Sequence, residues 1–276
     1  MELSVIHAIQ SIASPFWDVF FEGVTILAEQ YLMIIIFCYI YWIKDKEQGK
    51  LLAMSLALTL PLNNIIKNIF NAPRPIGEPG VRSLRVETAT GPSFPSGHTQ
   101  SSSTAYWTVS GFFGKKYLRI LAAVLIVLIA LSRVYLGVHW PRDVIAGMVL
   151  GIGCAYAASF LFKKFKNHDA LFITVSVVIL IFTLLLPSKN LITSAGLAFG
   201  MAPGFFIEGK YVRFGDCSAP SVKVKRFAVG IAVILAVYLL PKLILPDIYI
   251  FRFIRYALVS FSAVCACPAI FVKLKI

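Results

Sequence analysis

Acidic residues are scarce in this chain. It has 13 Asp and Glu against 26 Lys and Arg in 276 residues, and only 14% of the total is charged. A soluble globular domain carries about 25% charged residues, so that class is excluded. Cysteine is sparse as well: Cys38, Cys154, Cys217, Cys265 and Cys267 lie mainly in predicted helices. They form no ligand-like grouping, so all five, Cys265-x-Cys267 included, read as buried apolar filler rather than a metal site. No basic n-region opens the sequence, since Glu2 follows Met1, and no cleavage site follows; a cleaved leader is not expected. The basic residues are scattered over short loops instead of gathering on one face, which excludes nucleic acid as a partner. The net charge of +13 is what juxtamembrane Lys and Arg beside anionic membrane lipids produce.

What fills the chain is apolar. The hydrophobic fraction is 58% and the mean hydropathy +0.81. Stretches such as 51–70, 119–136, 170–186 and 227–245 are each long enough, at about 1.5 Å per residue, to cross a hydrocarbon core of about 30 Å. The expected fold is therefore all-α, a polytopic membrane helix bundle. About nine spans are expected, at 20–43, 51–70, 99–114, 119–137, 143–162, 170–187, 191–207, 227–245 and 249–271. The seventh carries Gly196, Gly200, Pro203 and Gly204 and is expected to kink or re-enter. Ahead of the spans, Leu3, Ile6, Ile9 and Ile12 recur at helical spacing until Ser14-Pro15 breaks the pattern, so residues 1–19 read as an interfacial segment. The frayed start of the first span is the alternative.

Charge then orients the bundle, because cytoplasmic loops retain Lys and Arg. Sixteen of the 26 basic residues fall on one face, in the loops around Lys46, Lys116, Lys164 and Lys223 and at the C-terminus. The other face is expected to lie outside the cytoplasm, as in a multi-pass protein of the plasma (inner) membrane. Lys242, Arg252 and Arg255 fit this poorly, being basic near the outer end of the last hairpin.

That outer face collects polar residues an apolar chain should not tolerate. They are Lys67 to Arg74-Pro75, Pro95-Ser96-Gly97-His98, and Ser132-Arg133 to His139 and Asp143. Antiparallel helices bring all three stretches to one end of the bundle. Lys67 and Arg74 suit an anion, the guanidinium as a fork and the ammonium as a point charge, although alone they read equally well as a snorkelling pair. Ser96 and Gly97 open a helix whose free N–H groups would face a phosphate; plain capping explains Ser96 but not His98, which could protonate a leaving oxygen. Asp143, one turn beyond His139, could merely serve a helix N-terminus. It could also accept an N–H from His139 and leave the opposite nitrogen to attack phosphorus, with Arg133 as a third cation.

The pattern K-x6-RP, PSGH and SR-x5-H-x3-D, in this order from Lys67 to Asp143, resembles the type 2 phosphatidic acid phosphatase superfamily. The resemblance covers residues 20–187 and implies a six-helix catalytic core, leaving 188–276 as a C-terminal transmembrane extension. It implies that His139 forms a phosphohistidine, that Asp143 orients it, and that His98 is the general acid and later helps water attack. Lys67, Arg74, Ser96, Gly97, His98 and Arg133 would surround the phosphate, and neither a metal nor another cofactor is expected. The expected activity is hydrolysis of a lipid phosphate monoester or diphosphate, isoprenyl diphosphates included, at the non-cytoplasmic face. Two alternatives stand beside it. One is a phosphotransferase in which an alcohol intercepts the phosphohistidine; the other is a non-enzymatic transporter of anionic lipids, motivated by the extra C-terminal helices and the Gly196, Gly200, Gly204 spacing.

Overall fold

A computed structural model describes residues 1–216 and 219–276; Cys217 lies outside the described residues. Among the described residues every regular element is helical. The helices are α1 (Glu2–Gln10), α2 (Pro15–Ile26), α3 (Gln30–Tyr39), α4 (Lys46–Phe70), α5 (Gly97–Gly111), α6 (Lys116–Tyr135), α7 (Pro141–Lys164), α8 (His168–Leu185), α9 (Lys189–Ile207), α10 (Pro220–Ile244), α11 (Tyr249–Phe261) and α12 (Cys267–Leu274). Among the described residues seven helices are long and apolar enough to cross a membrane, and an eighth span is possible if α2 and α3 count together. They form two compact units: Met1–Ile34 with Leu62–Ser159, and Ile35–Pro61 with Phe160–Ile276.

In the first unit, Ser14 caps α2 by accepting from Trp17 N, and Pro15 supplies a first-turn residue whose missing N–H costs nothing. The expected span 20–43 is broken. Its two parts, α2 and α3, meet at a 46° bend around Glu29. α1 is a separate helix, and the apolar stripe expected to face lipid is spent in part on protein: Ile6 is buried against Ala130, Val134 and Val144. Gln10 also donates to the carbonyls of Arg82 and Tyr135, both at 2.7 Å.

The expected span 99–114 is the short helix α5, with 15 residues and a run of buried Ser and Thr. Backbone carbonyls absorb several of their hydroxyls: Ser102 donates to Thr99, and Thr104 donates to Gln100 in its own helix and to Gly151 of α7, whereas Ser103 Oγ has no partner among the described residues. α7 approaches closely because it offers glycine. A Cβ at Gly147 would lie 2.9 Å from Ser96 O, and one at Gly151 would lie 2.7 Å from Ser103 Cβ. The helix opening with Ser96-Gly97-His98 is thereby pressed against the helix carrying Asp143.

In the second unit, α9 is a continuous helix that passes as a full span. The expected kink or re-entrant turn is not what its glycines do. Gly196 and Gly200 face α11, where added Cβ atoms would strike Phe253 O and Ala257 O, and one on Gly204 would strike Val264 in the turn that follows α11. The small-residue spacing thus brings two backbones together. α10 begins seven residues earlier than hydropathy suggests, at Pro220, so its basic first turns are helical too. Cys38, Cys154, Cys265 and Cys267 are free and buried.

Candidate active site

The residues singled out in the sequence all sit in the first unit, where helices end. Lys67 is on the last turn of α4, Arg133 on the last turn of α6, and Asp143 on the first turn of α7. Ser96 caps α5 by accepting from Thr99 N at 3.4 Å, and Gly97 and His98 follow.

Asp143 anchors the centre. Its Oδ2 accepts from His139 Nδ1 at 3.2 Å, from Trp140 N at 2.9 Å and from Ser93 Oγ, while its Oδ1 has no hydrogen-bond partner among the described residues. The other imidazole nitrogen, Nε2, lies 3.0 Å from Arg74 Nη1. A guanidinium can only donate, so Nε2 is the unprotonated nitrogen and Nδ1 carries the hydrogen given to Asp143. Burial, followed by the nearby charges of Arg74 and Arg133, holds the His139 pKa well below the ordinary imidazole value. The result is a neutral imidazole with a lone pair on Nε2.

Arg74 is held in place by carbonyls. Nε donates to Gly91 O at 2.9 Å, Nη1 to Val138 O at 2.8 Å and Nη2 to Thr90 O at 3.0 Å. Lys67 Nζ donates to Pro92 O and, at 3.4 Å, to Ser93 O. The structure therefore joins Lys67, Arg74, His139 and Asp143 through the 90–93 segment, and Ser96 N adds a 2.9 Å bond to Asp143 O. His98 and Arg133 are tied elsewhere. His98 Nε2 faces Glu29 Oε2 at 3.9 Å, and Arg133 Nη1 donates to Thr25 Oγ1 at 2.9 Å. Arg133 is fully buried, yet its Nε and Nη2 have no partner among the described residues.

The loop from 71 to 96 is stitched over the site. Leu84 N donates to Leu136 O at 2.9 Å, and Ser83 Oγ donates to Gly137 O at 3.1 Å. Gly137 has φ of +65°, and a Cβ there would collide with Arg82 O, so only glycine allows this approach in front of His139. Arg82 grips the Asp18 carboxylate, and Arg85 donates to Glu29 at 2.9 Å.

Sequence reasoning passed over Ser93, Asn63, Thr25 and Glu29. Asn63 Nδ2 donates to Gln100 Oε1 at 2.8 Å and to Pro95 O at 3.3 Å, fixing α5's entry on α4. A signal existed for two of them. Asn63 lies one helical turn before Lys67, and Glu29 is a lone carboxylate in an apolar stretch.

Comparison with known proteins places this geometry. The PAP2 superfamily model matches residues 48–167, and the model described as PAP2 superfamily phosphatase, transmembrane extension matches 192–276. Phosphatidylglycerophosphatase B of Bacillus subtilis is 30% identical over 145 residues, covering 49% of this chain and 68% of that protein. The chain belongs to the PAP2 superfamily. Within it, a probable sphingosine-1-phosphate phosphatase of Dictyostelium discoideum is 31% identical over 177 residues, covering 59% of this chain and 43% of its own length. An undecaprenyl-diphosphatase of Sulfolobus acidocaldarius is 35% identical over 108 residues, covering 39% and 52%. The chain thus spans about half the length of these last two relatives. All eight site residues predicted from sequence lie inside the segment matched to the PAP2 superfamily, whereas Thr25 and Glu29 lie before it.

Proposed function

We propose that the chain is an integral membrane phosphatase that hydrolyses a lipid phosphate monoester or diphosphate through a phosphohistidine on His139. The observation that carries this reading is the pair of contacts on the His139 ring, with Nδ1 on Asp143 and a bare Nε2 beside Arg74. In the first step Nε2 attacks phosphorus and the bond to the leaving oxygen breaks, while His98 gives that oxygen its proton. Arg74 exchanges its bond to Nε2 for the phosphoryl oxygens as the Nε2–P bond forms. Lys67, Arg133 and the first N–H groups of α5 take up the remaining charge. Water then attacks the phosphohistidine, returns a proton to His98 and frees phosphate and imidazole.

A lipid substrate is supported by the surface next to this centre. Ile66, Phe70, Phe94, Ile145, Val149 and Leu150 line an open apolar groove with Arg142 at its rim, and Ile66 and Arg142 are the chain neighbours of Lys67 and Asp143. A tail lying there leaves its phosphate at the helix ends. The relatives named for sphingosine-1-phosphate, phosphatidylglycerophosphate and undecaprenyl diphosphate support the same substrate class. The charge asymmetry supports an active site on the non-cytoplasmic face of the plasma membrane.

The test is phosphate release from a panel of lipid phosphates and isoprenyl diphosphates by purified wild type and His139→Ala. Wild type should release phosphate from at least one of them and the variant from none. Equal release by both would remove His139 as the nucleophile, and phosphate appearing only on an added alcohol would replace hydrolysis by transfer.

A further inference from the structure

The basic residues that fit the charge asymmetry poorly converge in the second unit. Asp247, in the turn between α10 and α11, accepts from Arg252 and Arg255 and lies 3.7 Å from Lys189 of α9. Lys242 and Arg255 both face the ring of Tyr238, at 5.7 and 5.9 Å from its centroid, and Arg255 also faces Tyr256 at 5.6 Å. Three cations from α9 and α11 therefore meet one carboxylate, and Lys242 of α10 joins them through the Tyr238 ring it shares with Arg255.

Such an excess is costly within a spanning helix unless something answers it. Snorkelling does not resolve it for Arg255, which is only 5% exposed and is held by Asp247 through one Nη. The Nε atoms of Arg252 and Arg255 have no partner among the described residues. Each guanidinium thus spends one arm on Asp247 and leaves Nε unused, although Nε and Nη together form the fork that matches two phosphate oxygens. Asp247 itself is exposed and sits in a short turn, so it can yield to a stronger anion. Leu239, Leu243, Ile250 and Ile254 are exposed on the same two helices and offer apolar surface to acyl chains.

We propose that this end of α9, α10 and α11 binds the phosphate of an anionic phospholipid, with Arg252 and Arg255 as the fork and Lys242 and Lys189 at the rim. Its role is to fix a membrane lipid, separate from the substrate, on the C-terminal extension. Asp247 holds the two arginines in place until the phosphate displaces it.

Native mass spectrometry of the detergent-solubilised full chain, titrated with phosphatidylglycerol, measures retention of the lipid. Wild type and His139→Ala should retain one phosphatidylglycerol alike. Arg252→Gln/Arg255→Gln should weaken retention by at least about tenfold, the loss of one charge-assisted phosphate contact, and Asp247→Asn should strengthen it. Retention unchanged in the arginine double variant, or lost in His139→Ala, would overturn the proposal. So would equal retention of phosphatidylcholine, or inorganic phosphate binding as tightly as the lipid. If the glutamine pair does not fold, Arg252→Lys/Arg255→Lys keeps the charge and removes the fork; unchanged retention there also contradicts the proposal.

Discussion

Arg226 and Glu208 of the second unit and Arg133 and Asp143 of the first are all buried, but they are answered to different degrees: among the described residues Arg226 leaves one nitrogen, Nε, without a partner and Arg133 leaves two. In the second unit Arg226 donates to the carbonyls of Trp42, Gly215 and Ile276, and the fully buried Glu208 accepts from Lys46 at 2.7 Å, from Tyr41 at 3.3 Å and from Phe214 N at 3.2 Å. In the first unit the fully buried Arg133 has one hydroxyl for a partner, and one oxygen of Asp143 accepts no hydrogen bond among the described residues, with only the Arg142 guanidinium 3.9 Å away. Burial alone does not mark a functional charge. A charge answered by its own protein holds helices together, while one left partly unanswered is stabilised by what binds there.

The comparison is broken most directly by removing one charge from each unit. Glu208→Ala strands Lys46 and Tyr41 and should cost about 3 kcal/mol in unfolding from mixed micelles, while phosphate release per folded molecule stays unchanged. Arg133→Gln should do the reverse, lowering kcat by about 100-fold to 1,000-fold with little loss of stability, since the side chain is asked to meet developing charge. If Arg133→Gln unfolded the protein as readily as Glu208→Ala, the distinction would collapse.

Smaller changes sharpen it. Ser93→Ala removes one of three donors to Asp143 Oδ2 and should lower kcat by about tenfold, near 1.4 kcal/mol, with KM little changed. Arg74→Gln should move the acid limb of kcat/KM to higher pH. The sign follows from the neighbouring charge: the cation beside Nε2 disfavours imidazolium and holds the His139 pKa down, so removing it raises that pKa and the nucleophile is lost at a higher pH. An acid limb that stayed in place would mean that another group controls it.

Much of the candidate site could be read from the sequence because its parts are helix ends at fixed spacings. His139 and Asp143 are one turn apart, and Ser96 is a cap with Gly97 and His98 directly behind it. Such local relations need no tertiary knowledge. Ser93, Thr25 and Glu29 escaped because they reach the site by tertiary approach from a loop, from α2 and from the break after it. The break itself was hidden because 20–43 is apolar almost throughout, and hydropathy averages over its two glutamates, Glu22 and Glu29. The glycines of α9 were recognised as small-residue packing, but whether they bend a helix or admit a neighbour depends on α11 lying opposite. The loop arginines Arg82 and Arg85 bond Asp18 and Glu29 and so fasten the loop to α2 and the break that follows, a tertiary relation that the loop sequence does not show.

The central claim is that His139 carries the phosphoryl group. Its most direct test is rapid acid-free quenching of the purified full chain during turnover of a lipid phosphate it hydrolyses, followed by peptide mass spectrometry. The account predicts one phosphoryl group on the peptide containing His139, labile in acid, stable in alkali and missing from His139→Ala. A phosphoryl group on a different residue, or full turnover by His139→Ala, would contradict it.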